Sequence, residues 1–376
     1  MKTPALPTKA RLVALYLPQF HAIPENDQWW GTGFTEWTNV KKAQPRFVGH
    51  QQPRVPTELG YYDLRDAATR SRQAQLAQAH GIEAFCYYHY WFDGKLLLEQ
   101  PLERMLEQSE PNFSFCLCWA NENWTRRWDG QNKEVLIAQD YDHYDAVLHA
   151  SYLLKAFADP RYLRVDGKPI FIYYRANIIP DFALKMRALK NALADLGILD
   201  LYCCAMARGE PIDSHLLASG VEQLIDFQPA EGIPATGVDA AHVWKITKQL
   251  LSGYVKPLIR AVFPKPNFDM VFNYKLLSSQ QMQRTLQPKH IPCVFPCWDN
   301  SSRRKHEAHI MQNSDASQFQ KWLDISIVKV QNKPAQERLV FINAWNEWAE
   351  GCYLEPDEQH GDRFLQAVKR AAYGNK

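Results

Sequence analysis

Short, nearly unbroken apolar runs recur along the chain, and most are followed by a stretch with helical spacing. The runs lie at 11–20 (RLVALYLPQF), 82–92 (IEAFCYYHYWF), 113–120 (FSFCLCWA), 168–175 (KPIFIYYR), 201–207 (LYCCAMA), 224–228 (LIDFQ), 291–300 (IPCVFPCWDN) and 339–342 (LVFI). Continuous apolar runs, rather than strict alternation, are what parallel strands covered on both faces require. Helical spacing fills 64–80, 96–108, 141–157, 182–196, 317–332 and 362–373, with Gly81 and Gly197 as stops. Strand followed by helix, about eight times over, predicts an α/β fold closed into a (β/α)8 TIM-type barrel, since such crossovers are right-handed and let the sheet meet itself. A doubly wound open sheet is the alternative. The 376 residues are expected to form a single catalytic domain, 1–376. Its least regular part, 230–288, reads as an insertion before strand 7, bearing helices and suited to a lid.

The polar residues choose between the two folds. His21, His89, Asn121, Glu122, Arg175, Asp226, Trp298, Asp299 and Glu347 fall at or just past the C-terminal ends of the runs. In a barrel those ends share one face and converge. In an open sheet they spread along a line.

One stretch concentrates this chemistry. After Leu339–Ile342 the chain turns polar within a few residues: Asn343, Asn346, Glu347 and Glu350, with Trp345 and Trp348 between them and Gly351 closing a sharp turn. Carboxylates are costly to desolvate unless paired. Indole rings suit the apolar faces of sugars, and carboxylates and amides bond their hydroxyls. The stretch therefore reads as a carbohydrate-processing site, with Glu347 and Glu350 as the catalytic candidates. Glycosidic cleavage needs one group to donate a proton and another to assist at the anomeric carbon. The bland reading, in which both glutamates pair with arginines and the indoles are core, stands beside it.

The same pairing of polar groups with aromatics marks further substrate-binding candidates. These are Glu36 and Trp37 in the long loop at 21–54, His89, Tyr90 and Trp91, then Asn121, Glu122 and Trp124. Arg175, Trp298 and Asp299 complete the set, with Asn346 and Trp348 inside the central stretch. Each has a structural rival. His89 also suits a buried, satisfied histidine, the 121–124 group a loop network with Arg126 or Arg127, and Arg175 a partner for Glu347 or Glu122.

Composition narrows the classes. A net charge of +2 implies no polyelectrolyte partner, and the short cluster Arg303-Arg304-Lys305 comes with no nucleic-acid motif. The expected partner is an oligosaccharide or polysaccharide, not nucleic acid. Of the eight cysteines, six (Cys86, Cys116, Cys118, Cys203, Cys204 and Cys293) lie inside apolar runs and read as small buried hydrophobes. No metal-ligand spacing appears among the cysteines or histidines, and no Gly-rich phosphate loop follows the first strand. No metal and no cofactor are expected. The N-terminal MKTPALPTKAR has no signal-peptide core, and no run is long enough to span a bilayer. These features place the protein in the cytoplasm with reduced thiols.

Several segments are long enough to carry a resemblance. LYLPQFHAIPENDQWWGTGFTEW, CYYHYWFDGKLLLEQPLERML, WANENWTRRWDG and FINAWNEWAEGCYLEPD, followed by GDRFLQAV, resemble the WbsX-type proteins of bacterial surface-polysaccharide gene clusters. Those are similar in turn to glycoside hydrolase family 99, the endo-acting α-mannosidases built on a (β/α)8 barrel. The second likeness rests on the segment Asn346–Gly351 and on the barrel. It implies a retaining reaction in which Glu347 acts as base towards the sugar 2-hydroxyl. That hydroxyl attacks the anomeric carbon to give a 1,2-anhydro sugar. Glu350 protonates the departing oxygen and then deprotonates water. WbsX-type proteins are often labelled glycosyltransferases. Three classes therefore stand: a glycoside hydrolase or transglycosidase acting on a bacterial surface polysaccharide, a glycosyltransferase of O-antigen or lipopolysaccharide biosynthesis using an activated donor, and a non-catalytic carbohydrate-binding barrel. Paired acids without a phosphate cradle favour the first.

Overall fold

Eight parallel strands close on themselves in the computed structural model, which describes residues 8–126, 131–229 and 269–374. They are β1 (Arg11–Tyr16), β2 (Ile82–Phe92), β3 (Ser114–Trp119), β4 (Lys168–Tyr173), β5 (Tyr202–Met206), β6 (Gln223–Asp226), β7 (His290–Val294) and β8 (Leu339–Ile342). Each pairs in parallel with its neighbours in chain order. β8 returns to β1 with Arg11 opposite Leu339 and Ala14 opposite Ile342, and β1 pairs with β2, so the sheet has no edge. The fold is the (β/α)8 barrel, and the open sheet is excluded by the β1–β8 pairing.

The outer layer consists of α1 (Ala67–Ala79), α2 (Gln100–Gln108), α3 (Ala146–Phe157), α4 (Phe182–Asp195), α5 (Ile212–Ala218), α6 (Tyr274–Gln283), α7 (Ala316–Lys329) and α8 (Arg363–Tyr373). Their starts are written in the sequence. Asp66 accepts from the backbone N–H groups of Ala68 and Thr69, Asp145 from Val147 and Leu148, and Asp315 from Gln318. Such caps satisfy amide groups that lack a partner in the first turn. Apolar stripes then dock the helices, as with Phe364, Leu365, Val368 and Ala372 of α8, all buried.

Most of the expected insertion, 230–268, lies outside the described residues. Its remainder is regular: Met270–Asn273 pairs in parallel with His309–Gln312, and α6 follows directly.

Strand parity decides what reaches the barrel mouth. Along β2, Tyr87 turns outward and its hydroxyl meets Met105 Sδ of α2 at 3.9 Å, while Tyr88 and Tyr90 line the cavity. His89 and Trp91 turn outward against His149 of α3. Side chains two apart share a face and neighbours do not.

Candidate active site

A cavity of about 430 Å³ opens at the C-terminal ends of the strands, the face on which barrels of this kind hold their sites. Glu347 and Glu350 line it with Glu122, Arg303 and Arg304; aromatic wall comes from Tyr88, Tyr90, Trp124, Tyr174 and Trp298. Tyr90 and Trp124 pack against each other with ring centroids 5.1 Å apart.

The glutamates sit on a short hairpin and turn directly after β8. Asn346–Glu347 pairs antiparallel with Cys352–Tyr353, and Trp348–Glu350 forms a single 3-10 turn. Gly351 ends that turn at φ +57°, and a Cβ there would lie 2.9–3.0 Å from Asp299. Glycine is required both for the left-handed backbone and for this approach. The loop after β7 grips the turn. Asp299 N–H donates to Glu350 O at 2.6 Å, Ser302 Oγ to Ala349 O at 2.6 Å, and Cys297 Sγ to Gly351 O at 2.6 Å.

Arg303 completes the grip. One of its terminal nitrogens donates to Glu36 Oε1 at 2.6 Å and to Glu347 Oε2 at 2.9 Å, and the other bonds Glu350 Oε1. Three carboxylates thus share one guanidinium. Arg303 went unread in the sequence, where it appeared only as part of a basic triplet. The available signal was its place in the loop that begins at Trp298 and Asp299.

The electrostatics follow from that crowding. Burial pushes the Glu347 carboxyl up to about 8; Arg303 pulls against this, and the charges of Glu350 and Glu36 add to it. Glu36, wholly buried, is also raised, by burial first, with Arg303 again opposing. A single cation does not offset two buried carboxylates beside the half-buried Glu350.

The remaining expected residues divide by what they touch. Glu122 lines the cavity and pairs with Arg175 at 3.3 Å. Asn121 is buried behind it. Its amide accepts from Arg175 N–H at 2.8 Å and donates to Arg175 O at 3.0 Å, tying the end of β3 to that of β4. Asn346 does the same between β8 and β1, accepting from Leu17 N–H at 2.8 Å and donating to Leu17 O at 3.0 Å. Asp299 is buried and accepts from Gln52 Nε2 at 2.7 Å, with His50 Nε2 at 2.8 Å.

Trp37 donates to Tyr62 O at 2.8 Å, away from the cavity. Trp348 stacks on Tyr353 at 3.8 Å and donates to Glu355 at 2.6 Å. His89 faces His149, their Nε2 atoms 3.0 Å apart, and burial drives His89 down to about 3. Trp91 stacks on the His149 ring at 4.5 Å. The structure therefore brings Tyr90, Glu122, Trp124, Trp298, Glu347 and Glu350 to one cavity, with Glu36 attached through Arg303. It places Trp37, His89, Trp91, Asn121, Arg175, Asp299, Asn346 and Trp348 off the cavity lining. The lining residues that the sequence reading passed over include Gln19, Tyr88, Tyr174, Asn300 and His309.

Among the described residues, no group of three or more His, Cys, Asp or Glu side chains is arranged to hold a metal ion. No helix among them is long and apolar enough to cross a membrane.

Comparison with known proteins agrees with this architecture. The family model described as "Glycosyltransferase WbsX" matches residues 12–368. Two curated relatives, each described as "Uncharacterized protein WxcX", come from Xanthomonas campestris pv. campestris strains B100 and ATCC 33913. Both are 39% identical over 374 residues, covering 98% of this chain and 51% of the relative, so the chain spans about half the length of the curated relatives it matches. Among solved structures, the GH99 endo-alpha-mannosidase from Bacteroides thetaiotaomicron superposes with a TM-score of 0.56 at 14% identity, over 96% of each chain. A "Glycoside hydrolase-like protein" superposes with a TM-score of 0.55 at 11% identity, over 99% of this chain and 97% of that one. At such identities the likeness is one of fold. The family match runs from the first barrel strand into the last helix, and the chain belongs to the WbsX glycosyltransferase family.

Proposed function

We propose that the protein is a carbohydrate-active enzyme that cleaves or transfers glycosidic bonds of a bacterial surface polysaccharide, by retaining, glycoside hydrolase-like chemistry. The observation that carries this reading is the placement of Glu347 and Glu350 on one guanidinium in an aromatic-walled cavity. In this reading Glu350 delivers a proton to the departing glycosidic oxygen. Glu347 takes the proton of the sugar 2-hydroxyl as that oxygen closes on the anomeric carbon, giving a 1,2-anhydro sugar. Water, or an acceptor hydroxyl, then opens it. Glu350 takes the incoming proton and Glu347 returns its own to O2. The raised Glu347 makes a stronger base when ionised, and positive charge developing at the anomeric carbon favours its ionised form. Tyr90, Trp124 and Trp298 supply apolar faces for sugar rings.

The chain 1–376 is read as one catalytic unit, with 230–288 as an insertion before strand 7, working in the cytoplasm. The family's description favours a second reading, transfer from an activated donor. Mass spectrometry of a bacterial polysaccharide panel incubated with the protein separates the two. The panel includes α-mannans, suggested by the endo-alpha-mannosidase of like fold. Shortened or re-joined glycans in the absence of any sugar nucleotide are expected. Products that form only when a sugar nucleotide is added replace this reading with the transferase one.

A further inference from the structure

The cavity wall is chemically divided. Glu122, Glu347 and Glu350 offer carboxylate oxygens, which suit sugar hydroxyls. The wall formed by the loop after β7 offers donors instead. Asn300, Arg304 and His309 all line the same cavity. Asn300 lines the cavity with its Oδ1 already used, accepting from the His309 backbone N–H at 2.8 Å, which leaves the Nδ2 donor without a partner among the described residues. Arg304 makes no ion pair among the described residues; its guanidinium has only a long 3.5 Å contact to Glu307 O. Its neighbour Arg303, by contrast, has both terminal nitrogens engaged by Glu36, Glu347 and Glu350. The His309 ring packs edge-on to Phe272 at 5.7 Å, and its nitrogens make no hydrogen bond among the described residues.

Resting on the carbohydrate reading above, we propose that Asn300, Arg304 and His309 form a subsite for an anionic substituent of the glycan, a carboxylate or a phosphate, close to Glu350. A cation and two neutral side chains that can each present an N–H match an anion's need for hydrogen-bond donors, and a guanidinium meets carboxylate and phosphate oxygens in forked geometry. A neutral sugar would leave the Arg304 charge half-buried and without a counter-ion, which binding does not favour. The loop is held in place for this role. Arg46 bonds the backbone carbonyls of Ser301 and Arg304 and is itself paired with Asp269 at 2.7 Å. Burial, with Arg304 adding to it and Glu307 opposing, lowers His309, so at neutral pH the ring is an uncharged donor and Arg304 supplies the charge.

The test is calorimetric titration of the full chain with three sets of oligosaccharides. The first contains glucuronate, mannuronate or galacturonate, the second is the same material after carboxyl reduction to neutral hexose, and the third carries sugar phosphates. A charged hydrogen bond is worth roughly 1.5–3 kcal/mol, so acidic forms are expected to bind about 10- to 100-fold more tightly than their reduced counterparts. The stronger of the carboxylate and phosphate arms identifies the group. Arg304→Gln removes the charge, and Asn300→Asp keeps the Oδ1 acceptor while turning the donor into a like charge. Both are expected to erase the preference, with thermal melts confirming that each variant folds. Acidic and reduced glycans binding alike, or a preference that survives both substitutions, overturns the subsite and leaves the carbohydrate reading standing. No binding by any of the glycans, acidic or neutral, in these sets or in the polysaccharide panel, ends both.

Discussion

Two clusters of buried ionisable groups lie near the barrel mouth, and they differ in what they face. Glu347, held by Arg303 with Glu36 and Glu350, opens into the cavity. His89 and His149 lie on the other side of the β2 wall, sealed under α3 between Trp91, Tyr144 and Tyr152. Both clusters have strongly displaced pKa values, Glu347 upward to about 8 and His89 downward to about 3, and burial is the leading cause in each. A displaced pKa therefore marks desolvation in both places. Only access to a cavity separates a candidate catalyst from a satisfied core pair.

The sharpest way to break that contrast is to exchange the carboxylates. Glu350→Gln keeps shape and removes the proton donor, so turnover of natural glycans is expected to fall roughly 10²- to 10⁴-fold. Substrates with good leaving groups should be spared in the cleavage step. Glu347→Gln should slow both kinds alike. Steady-state kinetics on the two substrate types reads the difference, and unchanged rates in both variants would remove this cluster from the chemistry.

Arg303→Met is the next largest. It strands three carboxylates without a cation, and losing one partner of a buried pair costs about 3–5 kcal/mol. A marked fall in denaturant midpoint is expected, along with a further rise in the Glu347 pKa, seen as an upward shift of the pH–rate limb. A variant as stable as the parent would show the cation to be dispensable.

The histidine pair should reveal itself in stability alone. His89 titrates in the folded state near 3 and near 6.5 unfolded. Between those values the unfolded chain binds the extra proton, so stability is lost as pH falls below about 6.5. At pH 5 the cost from His89 is about 2 kcal/mol. Replacing both His89 and His149 with Phe should flatten the melting temperature across pH 5–7. A drop in activity comparable to that of the glutamate variants would erase the distinction between the two clusters.

The pH–rate profile reads the same carboxyl without any substitution. A base near 8 must be ionised to act, so kcat/KM should climb about tenfold per unit through neutrality and level off near 8. A profile flat from 6 to 8 would mean that substrate binding resets Glu347.

The barrel was legible because eight apolar runs and their helices each carry a local signal, and the aspartate caps agree with it. The site was legible where composition changes abruptly, at Glu347 and Glu350. It was obscured where adjacent residues were read as blocks. His89-Tyr90-Trp91 is one word in sequence, yet on a strand its members alternate, and Tyr90 reaches the cavity with Tyr88 instead of its neighbours. Trp298 and Asp299, in the loop after β7, and Glu347 and Trp348, at the start of the 3-10 turn, likewise part company, one of each pair lining the cavity and its neighbour not. Arg303 was hidden because its partners Glu36, Glu347 and Glu350 come from segments far apart in sequence, and only closure of the sheet brings them together.

All eight cysteines are buried and unpaired, spread over the barrel strands and the two loops that build the site. Burial pushes Cys203 far up and holds Cys293 and Cys297 near 12, so these thiols are also poor nucleophiles in place. The molecule thus carries its own clock. An aromatic disulfide reagent can react only as fast as the structure opens. Cys297, bonded to Gly351 O in the grip on the glutamate turn, times the opening of that corner, while Cys116, Cys118 and Cys204 time the barrel itself.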